Sequence, residues 1–83
     1  MKFLKSDELE VGKCYQLYNK DDKQQYKSIV KKLDEFYTLE VEWYRVAGEE
    51  IKRSQINEHY LYVEISIHSF NRLKRHVLAK LDC

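Results

Sequence analysis

The chain has 83 residues and a mass of 10.1 kDa, which is enough for one small domain, residues 1–83. Leu, Ile, Val and Phe make up 23 of the 83 residues, so the composition excludes a wholly disordered chain. Lysine and arginine number 15 against 14 aspartates and glutamates, and the net charge of +1 excludes a strongly basic nucleic-acid tail and an acidic mimic of nucleic acid.

The N-terminus and the cysteines predict a cytoplasmic protein. Residues 1–8 contain no long apolar region and become acidic at Asp7, unlike a signal peptide. No run of 18 apolar residues occurs, so we expect no membrane association. Cys14 and Cys83 have no C-x-x-C spacing, and without an export signal we expect both to be reduced thiols.

The first half of the chain predicts a strand, a polar turn and an ambiguous segment. Gly12 precedes a strand over residues 13–18. The apolar side chains of residues 24–36 recur at helical spacing, and Asp22 could cap such a helix. That reading gives a β-α-β-β-β-α chain with a helix at 23–36. The same segment also mirrors the first strand across the polar turn, as the second strand of a hairpin would.

The second half predicts further strands. Residues 38–46 alternate apolar and polar side chains, and residues 51–56 form a further short strand. Residues 60–65 alternate again, so we expect Tyr60 and Tyr62 to point away from the apolar face. Such tyrosines could contact a partner or cover the second side of a small sheet.

The last element is predicted to be an amphipathic helix at about residues 66–82. Ser66 suits the N-cap position, and Ile65 could pack on Phe70 as a hydrophobic staple. The apolar stripe consists of Phe70, Leu73, Val77, Leu78 and Leu81. The opposite arc carries Arg72, Arg75, His76 and Lys80.

Formal charge is unevenly distributed along the chain. Residues 71–83 carry a net charge of +3, whereas residues 31–50 carry −3. A basic helix can contact phosphates or an acidic protein surface. It can equally be a solvated face whose cations suit the C-terminal end of the helix dipole.

The sequence contains no motif of a cofactor-dependent or metal-dependent enzyme. P-loop, dinucleotide-binding, nucleophile-elbow and zinc-protease patterns are absent. The cysteines and histidines lack the spacing of zinc ligands; they are Cys14, His59, His68, His76 and Cys83. We therefore expect no cofactor and no metal.

One stretch nevertheless resembles the sheet of RelE-type RNA-cleaving toxins. The resemblance is carried by Trp43-Tyr44-Arg45-Val46-Ala47-Gly48, Ile51-Lys52-Arg53 and Glu64-Ile65-Ser66-Ile67-His68. It implies that Arg45, Lys52, Arg53 and His68 would supply the cations and proton carriers of RNA cleavage.

A broader stretch of the chain resembles small SH3-like barrel proteins encoded by bacteriophages. The matching features are Val11-Gly12-Lys13-Cys14-Tyr15 entering a strand, two further strands, and a closing helix that starts at Ile65-Ser66-Ile67-His68. The chain departs from the pattern in having few turn glycines. The resemblance implies a non-enzymatic accessory or host-takeover factor, in the host cytoplasm if a phage encodes it. It also favours a strand over residues 24–33, against the helical periodicity.

These observations predict an α+β fold, a small antiparallel, barrel-like sheet with the C-terminal helix packed on it. The expected function is non-enzymatic binding that modulates or inhibits a host protein, with nucleic acid as a further partner. The expected contact residues are Arg53, Tyr60, Tyr62, Arg72, Arg75, His76 and Lys80. The alternatives are direct RNA or DNA binding by the basic helix and the RelE-like activity. Oligomeric state is not predicted.

Overall fold

The computed structural model describes residues 1–42 and 50–81, with the backbone alone for residues 50 and 79–81. This part of the chain forms five strands and a C-terminal helix, preceded by a 3₁₀ turn at Ser6–Glu8. The elements are β1 (Cys14–Asn19), β2 (Gln25–Lys32), β3 (Tyr37–Glu42), β4 (Glu50–Gln55), β5 (Tyr60–Ile65) and α1 (Ile67–Leu81). The prediction of a small α+β fold with an antiparallel sheet and a C-terminal helix is confirmed.

The strands form one open antiparallel sheet in the order β4-β3-β2-β1-β5. The first four strands follow one another as a meander, and β5 returns to pair with β1. Near the N-terminus, Leu4 and Tyr62 exchange backbone hydrogen bonds of 2.7 and 2.9 Å, which covers part of the outer edge of β5.

The ambiguous segment is the strand β2, and the alternative of a helix at 23–36 is wrong. Ile29 pairs with Gln16 of β1 on one side and with Val41 of β3 on the other. Asp22 does not cap a helix, because its carboxylate accepts a 2.9 Å hydrogen bond from the backbone of Gln24 within the hairpin turn. Two-sided pairing in the centre of the sheet therefore outweighs the helical spacing of the apolar residues.

Both faces of the sheet are covered. One core cluster contains Cys14, Ile29 and Val41 of the sheet together with Phe70 and Val77 of α1. We call this side the helix face. The other cluster is centred on Leu9, Tyr15, Leu17, Val30 and Tyr62, with Leu4, Tyr26, Ile56 and Tyr60 packed against it. We call this side the concave face.

The concave face is covered because the sheet curls. Strands β4 and β5 lie at opposite edges and run in the same direction, yet only residues 56–59 join them. In a flat sheet this connection would have to span about 25 Å, whereas it can reach only about 18 Å. Curling of the sheet brings β4 and β5 close enough for the connection to join them, and it places Ile56 against the concave-face cluster.

Helix α1 begins where the sequence predicts. The Ser66 hydroxyl accepts a 3.1 Å hydrogen bond from the backbone N–H of Ser69, as an N-cap residue does. Ile65 packs against the cluster that contains Phe70, in agreement with the predicted staple. Along the apolar stripe, Phe70 and Val77 are buried and Leu73 is half-buried, whereas Leu78 is 43% exposed.

Candidate functional site

The side of α1 that faces away from the sheet, here called the outer side, is cationic. Residues 67–81 include four lysines and arginines and no acidic residue. Arg72 and Arg75 are exposed and Lys74 is half-buried. The backbone of Lys80 belongs to α1, but the structure does not describe its side chain. Helix α1 thus keeps its predicted polarity, with the apolar side on the sheet and the cations turned outward.

Three cations outside α1 have a carboxylate partner within the described chain. Lys13 pairs with Glu10 at 2.6 Å, and Arg53 lies 3.6 Å from Asp34. Lys52 pairs with Glu42. Within residues 1–42 and 50–81, no ion pair involves Arg72, Lys74 or Arg75 of α1. Their charge is therefore available to a partner.

Two apolar side chains lie exposed among these cations. Ile67 is 50% and Leu78 is 43% exposed. Leu78 also lines a shallow depression of about 400 Å³ together with His68, Asn71, Lys74 and Arg75. The outer side of α1 thus combines cationic and aliphatic groups, a mixture typical of protein interfaces.

A groove of about 540 Å³ runs between α1 and the sheet. The sheet contributes Gln16, Ile29 and Ile65, and α1 contributes Ser69, Arg72, Leu73 and His76. Its aliphatic residues are buried or half-buried, whereas Arg72 and His76 are exposed. The groove therefore combines an aliphatic lining with a cation at its margin.

A second pocket, of about 550 Å³, opens on the concave face. Tyr26 and Tyr60 line it, with ring centroids 5.1 Å apart, together with the buried carboxylates of Glu40 and Glu42. Ser54 donates a hydrogen bond to Glu40. Both carboxylates thus already have partners on β4.

The tyrosines predicted as contact residues lie on this concave side. Tyr62 lies on the face opposite α1, as predicted, but it is 1% exposed, so the prediction that it is an accessible contact residue is wrong. Its hydroxyl donates a 3.2 Å hydrogen bond to the carbonyl of Asn57, and burial raises the pKa of that hydroxyl. Tyr60 is half-buried within the tyrosine cluster, and burial raises its pKa as well. The alternation correctly assigned Tyr60 and Tyr62 to the face opposite α1, but the curl of the sheet buries Tyr62 and half-buries Tyr60.

Arg53 lies apart from the outer side of α1. It is on β4, on the helix face, with its guanidinium 3.9 Å from the ring centroid of Tyr37. Asp34 supplies the neighbouring carboxylate, and its pKa is lowered mainly by backbone hydrogen bonds from Phe36 and Tyr37. The structure therefore brings Arg72, Arg75 and His76 together on α1 and leaves Arg53 and the two tyrosines elsewhere.

The residues of the RelE-like resemblance do not form one cluster in the described part. Lys52 and Arg53 are consecutive in β4, so their side chains lie on opposite faces of the sheet. His68 is exposed on α1. Arg45 lies outside the described residues.

The described residues contain no group of three or more His, Cys, Asp or Glu side chains placed to bind a metal ion. Cys14 is a free, buried cysteine, and burial raises the pKa of its thiol. Among residues 1–42 and 50–81, no helix has the length and apolar character needed to cross a membrane.

Sequence reasoning found the cations of α1 but missed the sheet side of the groove. The positions of Gln16, Ile29 and Ile65 beneath the helix depend on where α1 crosses the sheet, which periodicity does not encode. No family model, curated protein or solved structure matches this chain.

Proposed function

We propose that this chain is a non-enzymatic binding protein that modulates or inhibits another protein by occupying its surface. The outer side of α1 is the contact surface, and Arg72 and Arg75 are its main cations. The observation that carries the proposal is that these cations project from a helix that contains no acidic residue, and they form no ion pair within the described residues. Binding an acidic partner would supply the missing counter-charges.

A protein partner is favoured over nucleic acid by the exposed aliphatic groups. Ile67 and Leu78 lie on the same helix as the arginines and are half or nearly half exposed. Phosphate backbones offer such side chains no apolar surface, whereas protein interfaces do. Direct RNA or DNA binding remains the second candidate because exposed cations also suit phosphates.

We further propose that the sheet belongs to the SH3-like barrel class and that the protein acts in the cytoplasm, on a host protein if a phage encodes it. The curl of the sheet and the return of β5 to β1 support the barrel-like interpretation. The charge pattern of α1 is compatible with the accessory role that this resemblance implies.

Affinity capture from a lysate of the source cells tests the contact surface. The bait is the full chain, compared with the double variant Arg72→Glu, Arg75→Glu. A matched control carries Lys2→Glu and Lys20→Glu, which change the net charge equally at exposed positions outside α1. We expect the wild type and the control to capture the same partner and the helix variant to lose it, with circular dichroism showing all three folded.

Nuclease treatment and salt dependence separate the two candidate partners. A protein partner should survive nuclease treatment of the captured complex. Loss after treatment, with affinity falling by about one logarithmic unit per neutralised phosphate for each tenfold rise in salt, would indicate direct nucleic-acid binding. Retention of every partner by the helix variant at full strength would reject α1 as the contact surface.

A further inference from the structure

The groove between α1 and the sheet has the chemistry of a peptide-binding site. It has a volume of about 540 Å³, within the range of about 300–1,000 Å³ typical of ligand sites. Ile29 is 4% exposed, and the half-buried Ile65 and Leu73 complete an aliphatic lining. An apolar side chain that entered this groove would be removed from water without displacing any part of the helix.

The polar groups of the groove are placed to receive an anion and a backbone. Arg72 and His76 are one helical turn apart, so both project from the same margin. Gln16 is 8% exposed, and its amide Nε2 donates hydrogen bonds of 2.6 and 2.9 Å to the carbonyls of Tyr26 and Ser28. Within the described residues its amide oxygen accepts no hydrogen bond and can accept one from a bound backbone N–H.

We propose that the groove binds an acidic segment of the protein partner, with one aliphatic or aromatic side chain inserted against Ile29, Ile65 and Leu73. A neighbouring carboxylate of that segment pairs with Arg72 and accepts a hydrogen bond from His76. This inference rests on the proposed function and names the chemistry of its partner. The occupant must be acidic because residues 67–81 carry cations and no carboxylate.

The helix also supplies a matched control for the groove. Arg72 lines the groove, whereas Arg75, three residues further on, lines the depression on the outer side of α1. Both arginines are exposed, and neither forms an ion pair with another described residue. The variants Arg72→Glu and Arg75→Glu therefore make the same change in charge inside and outside the groove.

The test uses a fluorescein-labelled peptide of twelve residues, composed of Asp, Glu and Ser with one central Leu. Binding to the full chain is measured by fluorescence anisotropy and located by ¹H–¹⁵N chemical-shift changes. We expect shifts at Gln16, Ile65 and Ser69–His76. Arg72→Glu should weaken binding about tenfold, and Arg75→Glu should weaken it less because Arg75 lies outside the groove. Lys20→Glu, an equal charge change at an exposed position outside α1, should weaken it less than about twofold.

Two further peptides test separately the apolar contact and the charged contact of the bound segment. Replacing the central Leu by Ser, or every Asp and Glu by Asn and Gln, should each weaken binding at least about fivefold. A single-stranded RNA of twelve nucleotides tests the competing class of ligand and should not displace the acidic peptide.

Each result that differs from these expectations would reject a different part of the proposal. Equal losses for Arg72→Glu and Arg75→Glu, with the Leu-free peptide binding normally, would reject the groove but leave the outer side of α1 as the contact surface. No binding at millimolar peptide would reject the acidic-segment inference, while affinity capture would still decide the proposed function. Displacement by RNA, or shifts confined to the concave face around Tyr26, would reject the groove as a peptide site.

Discussion

At the scale of single residues, Tyr62 stabilises the curl of the sheet. Its hydroxyl donates to the carbonyl of Asn57 and accepts from the backbone N–H of the same residue, at 3.2 and 3.3 Å. Its ring packs edge-on against Tyr15, with centroids 6.1 Å apart. Because Asn57 lies in the short β4–β5 connection, these contacts fix the segment that joins the two edges of the sheet.

Removing the Tyr62 hydroxyl should destabilise the protein without affecting partner binding. Tyr62→Phe leaves the backbone of Asn57 without its buried partner, and we expect the free energy of unfolding to fall by about 1–2 kcal/mol. Tyr18→Phe is the control, because no other described residue bonds to that hydroxyl, and it should change stability by less than about 0.5 kcal/mol. Urea denaturation measures both variants. Loss of partner capture by folded Tyr62→Phe would contradict the structural role.

Cys14 should react slowly as long as the protein is folded. Thiol alkylation requires the thiolate, and burial both shields Cys14 and raises the pKa of its thiol. In a Cys83→Ser variant, we expect iodoacetamide at pH 8 to label Cys14 at least about 100-fold more slowly in buffer than in urea. Similar rates in the two solvents, measured by mass spectrometry, would mean that β1 is not buried as described.

Asp34 should contribute to the acid sensitivity of stability. Its pKa in the folded chain is below its usual value of 3.8, mainly because Phe36 and Tyr37 donate backbone hydrogen bonds to the carboxylate. The contribution is therefore present above pH 3.8 and is lost as the pH falls through the lowered folded pKa.

The variant Asp34→Asn should flatten the dependence of unfolding free energy on pH below about pH 4. Asp21→Asn is the control, because its carboxylate accepts no hydrogen bond from other described residues, and it should retain the wild-type slope. Chemical denaturation at several pH values measures the effect. An unchanged slope in Asp34→Asn would contradict the assigned role of the turn.

At the scale of secondary-structure elements, capping and strict alternation were reliable signals. Ser66 predicts the start of α1, and the alternation over residues 60–65 predicts β5 with its observed bounds. The strand β2 could not be assigned from periodicity, because a central strand is buried on both faces and its apolar residues need not alternate. Pairing with two neighbours, which depends on the whole sheet, decided its structure.

The N-cap of α1 should contribute measurably to stability. Ser66→Ala removes the acceptor for the backbone N–H of Ser69, and we expect a loss of about 1 kcal/mol in unfolding free energy. Ser66→Asp keeps an acceptor at the same position and should lose much less. Urea denaturation followed by circular dichroism distinguishes the two. Equal stability of Ser66→Ala and wild type would show that the cap is not needed.

At the scale of the whole molecule, curling determines which polar faces stay accessible. The strand alternation correctly places Glu40 and Tyr62 away from the helix face, and it also predicts that these side chains are exposed to solvent. They are buried instead, because the short β4–β5 connection draws the two edges of the sheet together. The outer side of α1 is unaffected by the curl, so its cations could be predicted from sequence. The groove beneath Arg72 could not, because it needs the relative placement of α1, β1 and β5.

The most direct test of the central claim is a chemical-shift map of the complex. The ¹⁵N-labelled chain would be titrated with the unlabelled partner obtained by affinity capture. We expect the changes to concentrate on α1 between Ile67 and Leu78 and on the adjoining residues of β1 and β5. Changes confined to the concave face around Tyr26 and Tyr60, with α1 unperturbed, would contradict the claim that the basic helix is the contact surface.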